Sequence, residues 1–258
     1  MVKNFMDLTG RVAVVIGGTS GIGRTLAVGL AEAGADVVAS GRRQNLCDEV
    51  AKQIAGLGRQ SMAHPVNIQD RASIDGLRDA MLAKLGRVDI LLNAAGQTFR
   101  QPTKDVEEAR WNQVMDVNLT GTLRTCQSFY EPLVKSGHGR VINIASLSSF
   151  VALNEVAAYC ASKAAVLSLT KSLAIEWAKD GVCVNAIAPG VFPTELNASL
   201  LNGTVRGKEF ITRTPMQRFG RTEELIGAAL LLASDAASYI TGQSIAVDGG
   251  FLGSGVNS

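Results

Sequence analysis

The chain has 258 residues, of which 47% are hydrophobic and 19% charged, and its formal net charge at pH 7 is +2. This composition is typical of a globular protein and argues against a disordered or fibrous one. The nearly neutral charge, with no dense basic stripe, argues against nucleic acid as a partner.

The N-terminus and the cysteines predict a cytoplasmic protein. The opening residues, "MVKNFMDLTGR", lack the apolar core of a signal peptide, and no apolar run reaches the roughly 18 residues of a membrane helix. The four cysteines and two histidines are scattered without metal-ligand spacing. We therefore expect reduced thiols, no metal site and no membrane contact.

Short apolar runs alternate with amphipathic stretches along the whole chain. The apolar runs predict strands at 11–18, 36–40, 88–96, 139–146, 182–190 and 244–250, and a weaker one at 60–67. The stretches between them predict helices at 21–33, 43–57, 70–85, 106–135, 157–179 and 222–234. Strand–helix alternation with continuously apolar strands predicts an α/β fold over 1–258: a single domain with a doubly wound parallel sheet of about seven strands and helices on both faces.

A glycine-rich turn, "GGTSGIG" at 17–23, follows the first predicted strand. Glycines permit a tight turn and a close approach of the backbone to a ligand. The next helix then points its N-terminus, with free N–H groups, at that ligand. The turn therefore predicts a pyrophosphate site, with a purely structural turn as the alternative.

The end of the second predicted strand indicates which dinucleotide is preferred. A carboxylate there would accept the ribose hydroxyls of NAD, whereas an arginine would bind the 2′-phosphate of NADP. The strand ends "ASGRR", which places Arg42 and Arg43 after two neutral residues. Asp36 opens the strand and so lies at the wrong end of the sheet. We expect NADP(H) to be preferred; the alternative is that both arginines only solvate a helix start.

The segment 191–214 interrupts the alternation of strands and helices. It is long and polar, contains Pro193 and Gly203, and lies between a predicted strand and the next helix. Ligands of open α/β sheets bind outside the carboxyl ends of the strands, where such loops lie. Because connections this long are usually functional or mobile, we predict a substrate-covering lid, with a plain surface loop as the alternative.

The stretch "AAYCASKAA" places Tyr159 and Lys163 four residues apart, so a helix would present both on one face. Ser146 ends the predicted strand in "IAS", and Asn118 lies in "DVNLTG". Together with "GGTSGIG", "NAAG" at 93–96, "APG" at 188–190 and "VDGG" at 247–250, this ordered set resembles the short-chain dehydrogenase/reductase family over essentially the whole chain.

The resemblance implies a Rossmann-type fold and a catalytic tetrad of Asn118, Ser146, Tyr159 and Lys163. A ketone that accepts hydride needs a proton, and free tyrosine, with a pKa of about 10, is a poor acid–base group near neutrality. A cation about 4 Å away, at an effective dielectric constant of about 20, would lower that pKa by roughly 3. We therefore expect Lys163 to activate Tyr159.

The resemblance also implies which residues contact the cofactor, in addition to Arg42 and Arg43. They are Gly17, Ser20, Ile22 and Gly23 in the glycine turn, Asn67 and Ile68 after the third predicted strand, Asn93, Ala94 and Gly96 after the fourth, Tyr159 and Lys163, and Pro189, Gly190 and Thr194. Ser20 stands where many NADP-dependent members carry a basic residue, so NAD(H) is expected as a second cofactor.

Two subgroups of the family look closest in pattern, the gluconate 5-dehydrogenases and the 3-oxoacyl-(acyl-carrier-protein) reductases. The latter dock an acidic carrier protein through arginines, and the aligned positions here are Glu131 and Ile175. We therefore expect a sugar acid or similar small polyhydroxy substrate. The residues expected to face it are Gln97, Arg100, Ser146, Asn154, Tyr159 and Glu195.

Two other functions stay open at this stage, a 3-oxoacyl-thioester reductase and a dinucleotide-binding regulator without catalysis. The resemblance further implies a homotetramer that pairs the helices at 106–135 and 157–179 across a dyad. Helix 157–179 is apolar around more of its surface than one core requires, which agrees with such an interface.

Overall fold

A six-stranded parallel sheet forms the centre of the computed structural model, which describes residues 4–194, 197, 201 and 203–255. The strands are β1 (Val12–Ile16), β2 (Asp36–Ser40), β3 (Ile90–Asn93), β4 (Arg140–Ile144), β5 (Cys183–Pro189) and β6 (Ser244–Val247). Their spatial order is β2-β1-β3-β4-β5-β6. The order reverses direction between β1 and β3, which is where open α/β sheets bind ligands.

The described helices agree with the predicted positions to within about two residues at most ends. They are α1 (Gly21–Glu32), α2 (Gln44–Gly56), α3 (Arg71–Leu85), α4 (Glu108–Met115), α5 (Gly121–Ser136), α6 (Ala157–Trp177), α7 (Val205–Arg213) and α8 (Ile226–Ala233). The predicted helix at 106–135 is divided into α4, one π-helical turn at Asp116–Thr120, and α5. Helix α7 lies inside the segment predicted as a loop-like lid.

Helices cover both faces of the sheet, as the alternation predicted. In β1, Ala13 and Val15 pack with α1, α2 and α8, whereas Val14 and Ile16 pack with α3, α5 and α6. This alternation follows from the two-residue period of a strand. Because both faces are buried, each strand needs apolar residues on both sides, which explains the continuous apolar runs in the sequence.

The weaker strand candidate at 60–67 does not form a strand. The segment runs beside β2 and is joined to it by separate hydrogen bonds, from Val37 N to Gln60 O (3.1 Å) and from Val66 N to Gly41 O (2.9 Å). Between these points the Ser40 hydroxyl donates to the carbonyl of His64. Pro65 lacks the N–H that a regular ladder would require, so the sheet has six strands in the described residues rather than about seven.

No helix within the described ranges is long and apolar enough to cross a membrane.

Candidate active site

A cleft of about 710 Å³ runs along the carboxyl ends of β1, β2 and β3 and reaches α6. It brings together most of the residues predicted to bind a dinucleotide or to react. These are Gly17, Ser20, Ile22, Gly23, Arg42, Arg43, Asn67, Ile68, Ala94, Gly96, Gln97, Tyr159, Lys163 and Thr194. No acidic side chain lines the cleft in the described part of the chain.

The glycine turn leaves room for a diphosphate at the N-terminus of α1. Gly17 has a φ of +76°, and a Cβ there would lie 2.5 Å from Ala95 N. A Cβ at Gly23 would overlap the carbonyl oxygen of Gly17. Ser20 begins α1 without forming a side-chain cap, so the first N–H groups of the helix keep their donor capacity. The turn therefore has the open donors and the positive dipole end that a diphosphate requires.

The arginines after β2 are free to bind an anion. Arg42 and Arg43 are exposed, and neither forms an ion pair or a side-chain hydrogen bond with another described residue. Asp36 lies at the opposite end of β2, where its carboxylate accepts from Gln60 N at 2.7 Å. The end of the cleft expected to hold the ribose therefore has two neutral residues, Ser40 and Gly41, followed by two arginines. This arrangement fits a 2′-phosphate.

Asn67 and Ile68 form the wall of the cleft that precedes α3. The Asn67 side chain accepts from Gln69 N at 3.2 Å and so holds the turn that leads into the helix. Ile68 is buried, and it lies so close to Gly121 that a Cβ there would approach its Cδ1 to 2.7 Å. This wall is therefore fixed by contacts with α3 and α5.

The side chain of Asn93 does not face the cleft, so its predicted cofactor contact stays a prediction for the main chain alone. Its Nδ2 donates to Asn143 Oδ1 at 2.9 Å, and its Oδ1 accepts from Thr125 at 2.8 Å. Asn143 donates in turn to Thr170 at 2.9 Å. Asn93 and Asn143 are register partners of β3 and β4, so this buried chain of hydrogen bonds fixes the sheet, and Ala94 and Gly96 remain as the cleft residues of "NAAG".

Pro189 and Gly190 likewise lie outside the lining of the cleft. A Cβ on Gly190 would lie 2.6 Å from Asp248 Cα, so this residue packs against the segment after β6. Thr194 does line the cleft. Its side chain lies beside Gly21 at the start of α1, so close that a Cβ on Gly21 would be 3.4 Å from Thr194 Cγ2. The segment after β5 thus runs from the carboxyl end of β5 to the glycine turn.

Lys163 is buried at the inner end of the cleft, one turn after Tyr159 on α6. Its Nζ donates to the carbonyl oxygen of Ile144, at the end of β4, at 2.7 Å. Burial lowers the pKa of Lys163 to about 8. A Cβ on Gly96 would lie 3.6 Å from this Nζ, so the loop after β3 encloses the ammonium from the other side.

Burial raises the pKa of the Tyr159 hydroxyl above its ordinary value, against a lowering effect of its hydrogen bond with Ser146. The net lowering predicted from Lys163 is not found, because the pKa of Tyr159 is raised. The Lys163 ammonium lies 5.8 Å from the centre of the Tyr159 ring and donates to Ile144 instead. Desolvation of the phenolate therefore outweighs the hydrogen bond with Ser146.

Ser146 follows β4 by two residues and is buried beside the tyrosine. Its hydroxyl oxygen accepts from Ser148 N at 3.1 Å, which begins a short 3₁₀ turn at Leu147–Ser149. Ser149 then donates to the carbonyl of Lys163 at 2.8 Å, so this turn is tied to α6. The Ser146 hydroxyl is therefore held at a fixed position next to Tyr159.

Asn118 lies in the π-helical turn and is fully buried. Its Nδ2 donates to Gln97 O (3.0 Å) and to Ser162 Oγ (2.9 Å), and its Oδ1 accepts from Gln97 N at 2.8 Å. Ser162 donates to the carbonyl of Tyr159. The side chain thus joins the loop after β3 to the helix that carries Tyr159 and Lys163, an arrangement that sequence spacing did not indicate.

The residues predicted to face the substrate are only partly brought together. Gln97 lines the cleft, and Arg100 and Asn154 lie farther out on two adjacent loops, whereas Glu195 is outside the described residues. Arg100 Nε contacts Glu155 Oε2 at 2.5 Å, a partner that the sequence analysis did not identify. The positive φ of Glu155, 62°, marks the sharp turn that makes this contact, but a lone glutamate gives no sequence signal for it.

A family model described as enoyl-(acyl carrier protein) reductase matches residues 16–252. The chain is 38% identical over 255 residues to the 2-dehydro-3-deoxy-D-gluconate 5-dehydrogenase of Dickeya dadantii. That match covers 98% of this chain and 99% of the relative. It is 39% identical over 249 residues to the NAD-dependent glycerol dehydrogenase of Listeria innocua, which covers 96% of both. These similarities extend over almost the full length of both relatives.

A similar solved structure is that of a gluconate 5-dehydrogenase from Burkholderia cenocepacia in complex with NADP and tartrate. It is 37% identical, has a TM-score of 0.94, and the match covers 98% of this chain and 99% of that one. The likeness therefore includes the sheet, the cleft and the segments around it.

Proposed function

The chain belongs to the short-chain dehydrogenase/reductase family, and on that premise we propose that it is an oxidoreductase that interconverts a secondary alcohol and a ketone. Its preferred cofactor is NADP(H), and NAD(H) is a second one. Its substrate is a sugar acid or a similar small polyhydroxy compound. The observation that carries the proposal is the position of Tyr159 and Lys163 at one end of a cleft whose other end is the glycine turn.

Tyr159 is the acid–base group of this proposal. Its phenol gives a proton to the ketone oxygen in reduction and takes it back in oxidation. Ser146, which is hydrogen-bonded to the phenol, holds the reacting oxygen of the substrate beside the Tyr159 hydroxyl. Lys163 and Asn118 position the reacting groups, the lysine from its hydrogen bond to Ile144 and the asparagine through Gln97 and Ser162. A bound nicotinamide supplies or accepts the hydride.

The cofactor preference rests on Arg42 and Arg43 after β2, which have no side-chain partner among the described residues. An exposed guanidinium is suited to a phosphate dianion, and no carboxylate lines the described cleft to repel it. NAD(H) remains usable because the diphosphate is held by the turn and by α1, which are common to both dinucleotides. The NADP bound to the gluconate 5-dehydrogenase and the NAD dependence of the glycerol dehydrogenase support this assignment.

The substrate class is supported by the relatives, which are named for sugar acids and polyols and match almost the full chain. The segment 191–214 is proposed to cover this substrate as a lid, because it crosses from β5 to the glycine turn and then forms α7. A homotetramer is also proposed. The outer face of α6 supports it, since Ile175 is 81% exposed on this apolar helix. Light scattering at micromolar concentration would show a monomer if this proposal is wrong.

The direct test supplies gluconate, 5-ketogluconate and an acetoacetyl thioester to the purified enzyme with each nicotinamide cofactor. We expect turnover of a sugar acid in at least one direction, with higher kcat/KM for the NADP couple. Turnover of the thioester alone would assign the enzyme to the 3-oxoacyl reductases. Binding of NADPH without turnover of any of these compounds would favour the regulator.

A further inference from the structure

Three chain segments meet at the loop that leads into α6, a few residues before Tyr159 in the chain. The loop after β3 carries Arg100, the loop before α6 carries Asn154 and Glu155, and α7 carries Arg206. Arg100 contacts Glu155, and Gln101 N donates to the carbonyl of Glu155 at 2.8 Å. Arg206 Nη1 donates to the carbonyl of Asn154 at 3.1 Å. The lid helix is therefore joined to the loop that leads into the catalytic helix.

Arg206 occupies a position that is unfavourable for a cation. It lies in the first turn of α7, where the positive end of the helix dipole opposes it. It is half-buried, and burial lowers its pKa, with Arg100 acting in the same direction. This lowering of the Arg206 pKa is opposed by Glu155, Glu209 and the Cys160 thiol. Glu155, however, is already paired with Arg100.

The guanidinium of Arg206 has unused donors. Of its five N–H groups, a single one forms a hydrogen bond within the described residues, the bond to Asn154. The guanidinium carbon lies 5.5 Å from the centre of the Phe210 ring, which covers it on one side. Arg206 forms no ion pair with the described part of the chain. A planar, partly desolvated guanidinium with free donors is the group that binds a carboxylate most favourably.

We propose that Arg206 binds the carboxylate of the substrate and so selects sugar acids over neutral polyols. This inference rests on the proposed oxidoreductase function. In this proposal the reacting carbon lies at Tyr159, and Arg206 is tied by its bond to Asn154 O to the loop that leads into the helix carrying Tyr159. Because Arg206 is on α7 and already donates to Asn154 O, the carboxylate binds where the lid helix meets the loop before α6. The acid is thus held at both ends, by Tyr159 and by the lid.

The test compares gluconate with D-glucitol, which has a hydroxymethyl group in place of the carboxylate. In Arg206→Gln we expect the KM for gluconate to rise about 10- to 100-fold, the range for loss of a charge-assisted hydrogen bond. The kcat for gluconate and the kcat/KM for glucitol should stay within about threefold of wild type. Arg206→Lys should restore part of the affinity, because it keeps the charge but loses the planar fork.

Lys208→Gln is the matched control, since it removes one charge from an exposed position on the same helix. It should leave the KM for both compounds unchanged. An equal loss of kcat/KM for gluconate and glucitol in Arg206→Gln would overturn the inference. Arg206 would then have only the structural role of binding Asn154 O. No change on either compound would also overturn it. Failure of the wild-type enzyme on every sugar acid would instead refute the proposed function, so the two failures are distinguishable.

Discussion

Replacement of Lys163 by methionine should abolish activity and yet stabilise the cofactor-free protein at pH 7. The ammonium is buried with one hydrogen bond, to Ile144 O, and has no anionic partner in the described part of the chain. Its pKa is about 8 instead of the ordinary 10.5. At 1.36 kcal/mol per pKa unit, this corresponds to a cost of roughly 3 kcal/mol for the charged form in the folded protein. Loss of the hydrogen bond offsets about 1 kcal/mol of the gain.

The effect has a definite pH dependence. Below pH 8 the lysine carries its proton in both the folded and the unfolded chain, so the full cost is present. Between pH 8 and 10.5 the folded chain releases the proton and the unfolded chain keeps it, so the stability of the wild type rises with pH. The advantage of Lys163→Met over wild type should therefore be about 2 kcal/mol at pH 7 and should disappear as the pH approaches 10.

Urea unfolding of both proteins at pH 7 and pH 9.5, at one protein concentration and without cofactor, measures this difference. Lys171→Met is the matched control, because Lys171 is an exposed lysine of the same helix and its replacement should change little. Saturating NADP should stabilise the wild type more than the variant, since Lys163 is proposed to contact the cofactor. A less stable Lys163→Met at pH 7 would refute the reasoning and show that the hydrogen bond to Ile144 outweighs the burial of charge.

Three further substitutions test other parts of the site, and a fourth, Gly76→Ala, is a control outside it. Tyr159→Phe should lower kcat by at least about 100-fold, the usual contribution of a general acid, and should retain NADPH binding, which a fluorescence titration measures; equal turnover by this variant would contradict the mechanism. Arg42→Asp should raise the dissociation constant of NADPH about 100-fold and change that of NADH by no more than about threefold. An unchanged ratio of the two dissociation constants would exclude Arg42 as the phosphate contact. Gly23→Ala should lower both cofactor affinity and the thermal midpoint, because its Cβ would overlap Gly17 O, whereas Gly76→Ala, at an exposed helical glycine with open space around it, should stabilise the protein by about 0.5–1 kcal/mol; equal behaviour of the two alanines would show that the turn adapts.

Periodicity was sufficient for most of the fold, because both faces of the sheet are covered and each strand had to be apolar throughout. The exception at 60–67 has a local cause. It contains the apolar residues Met62, Ala63 and Val66, but its contacts with β2 are made partly by the side chains of Ser40 and Ser61, which donate to main-chain carbonyls. A sequence pattern records which residues are apolar, and it does not distinguish main-chain pairing from side-chain pairing.

The site shows the same limit for Asn93 and Asn118. Both asparagines belong to recognisable motifs, yet one is used within the sheet and the other between a loop and α6. An amide has two donors and two acceptor positions, and only the folded arrangement decides which neighbours use them. The π-helical turn at Asn118 could not be predicted either, since "DVNLTG" has no proline or strained glycine that would indicate it.

The pair at Tyr159 and Lys163 shows what spacing can and cannot determine. A separation of four residues fixed a shared helical face, and the structure has both side chains at the cleft. The same spacing did not determine where the ammonium would donate, because Ile144 O comes from a strand end nineteen residues earlier in the chain. With the lysine bonded there, burial controls the pKa of the tyrosine, and the hydrogen bond from Ser146 opposes burial. The serine therefore contributes to the acidity of the phenol as well as to the position of the substrate oxygen.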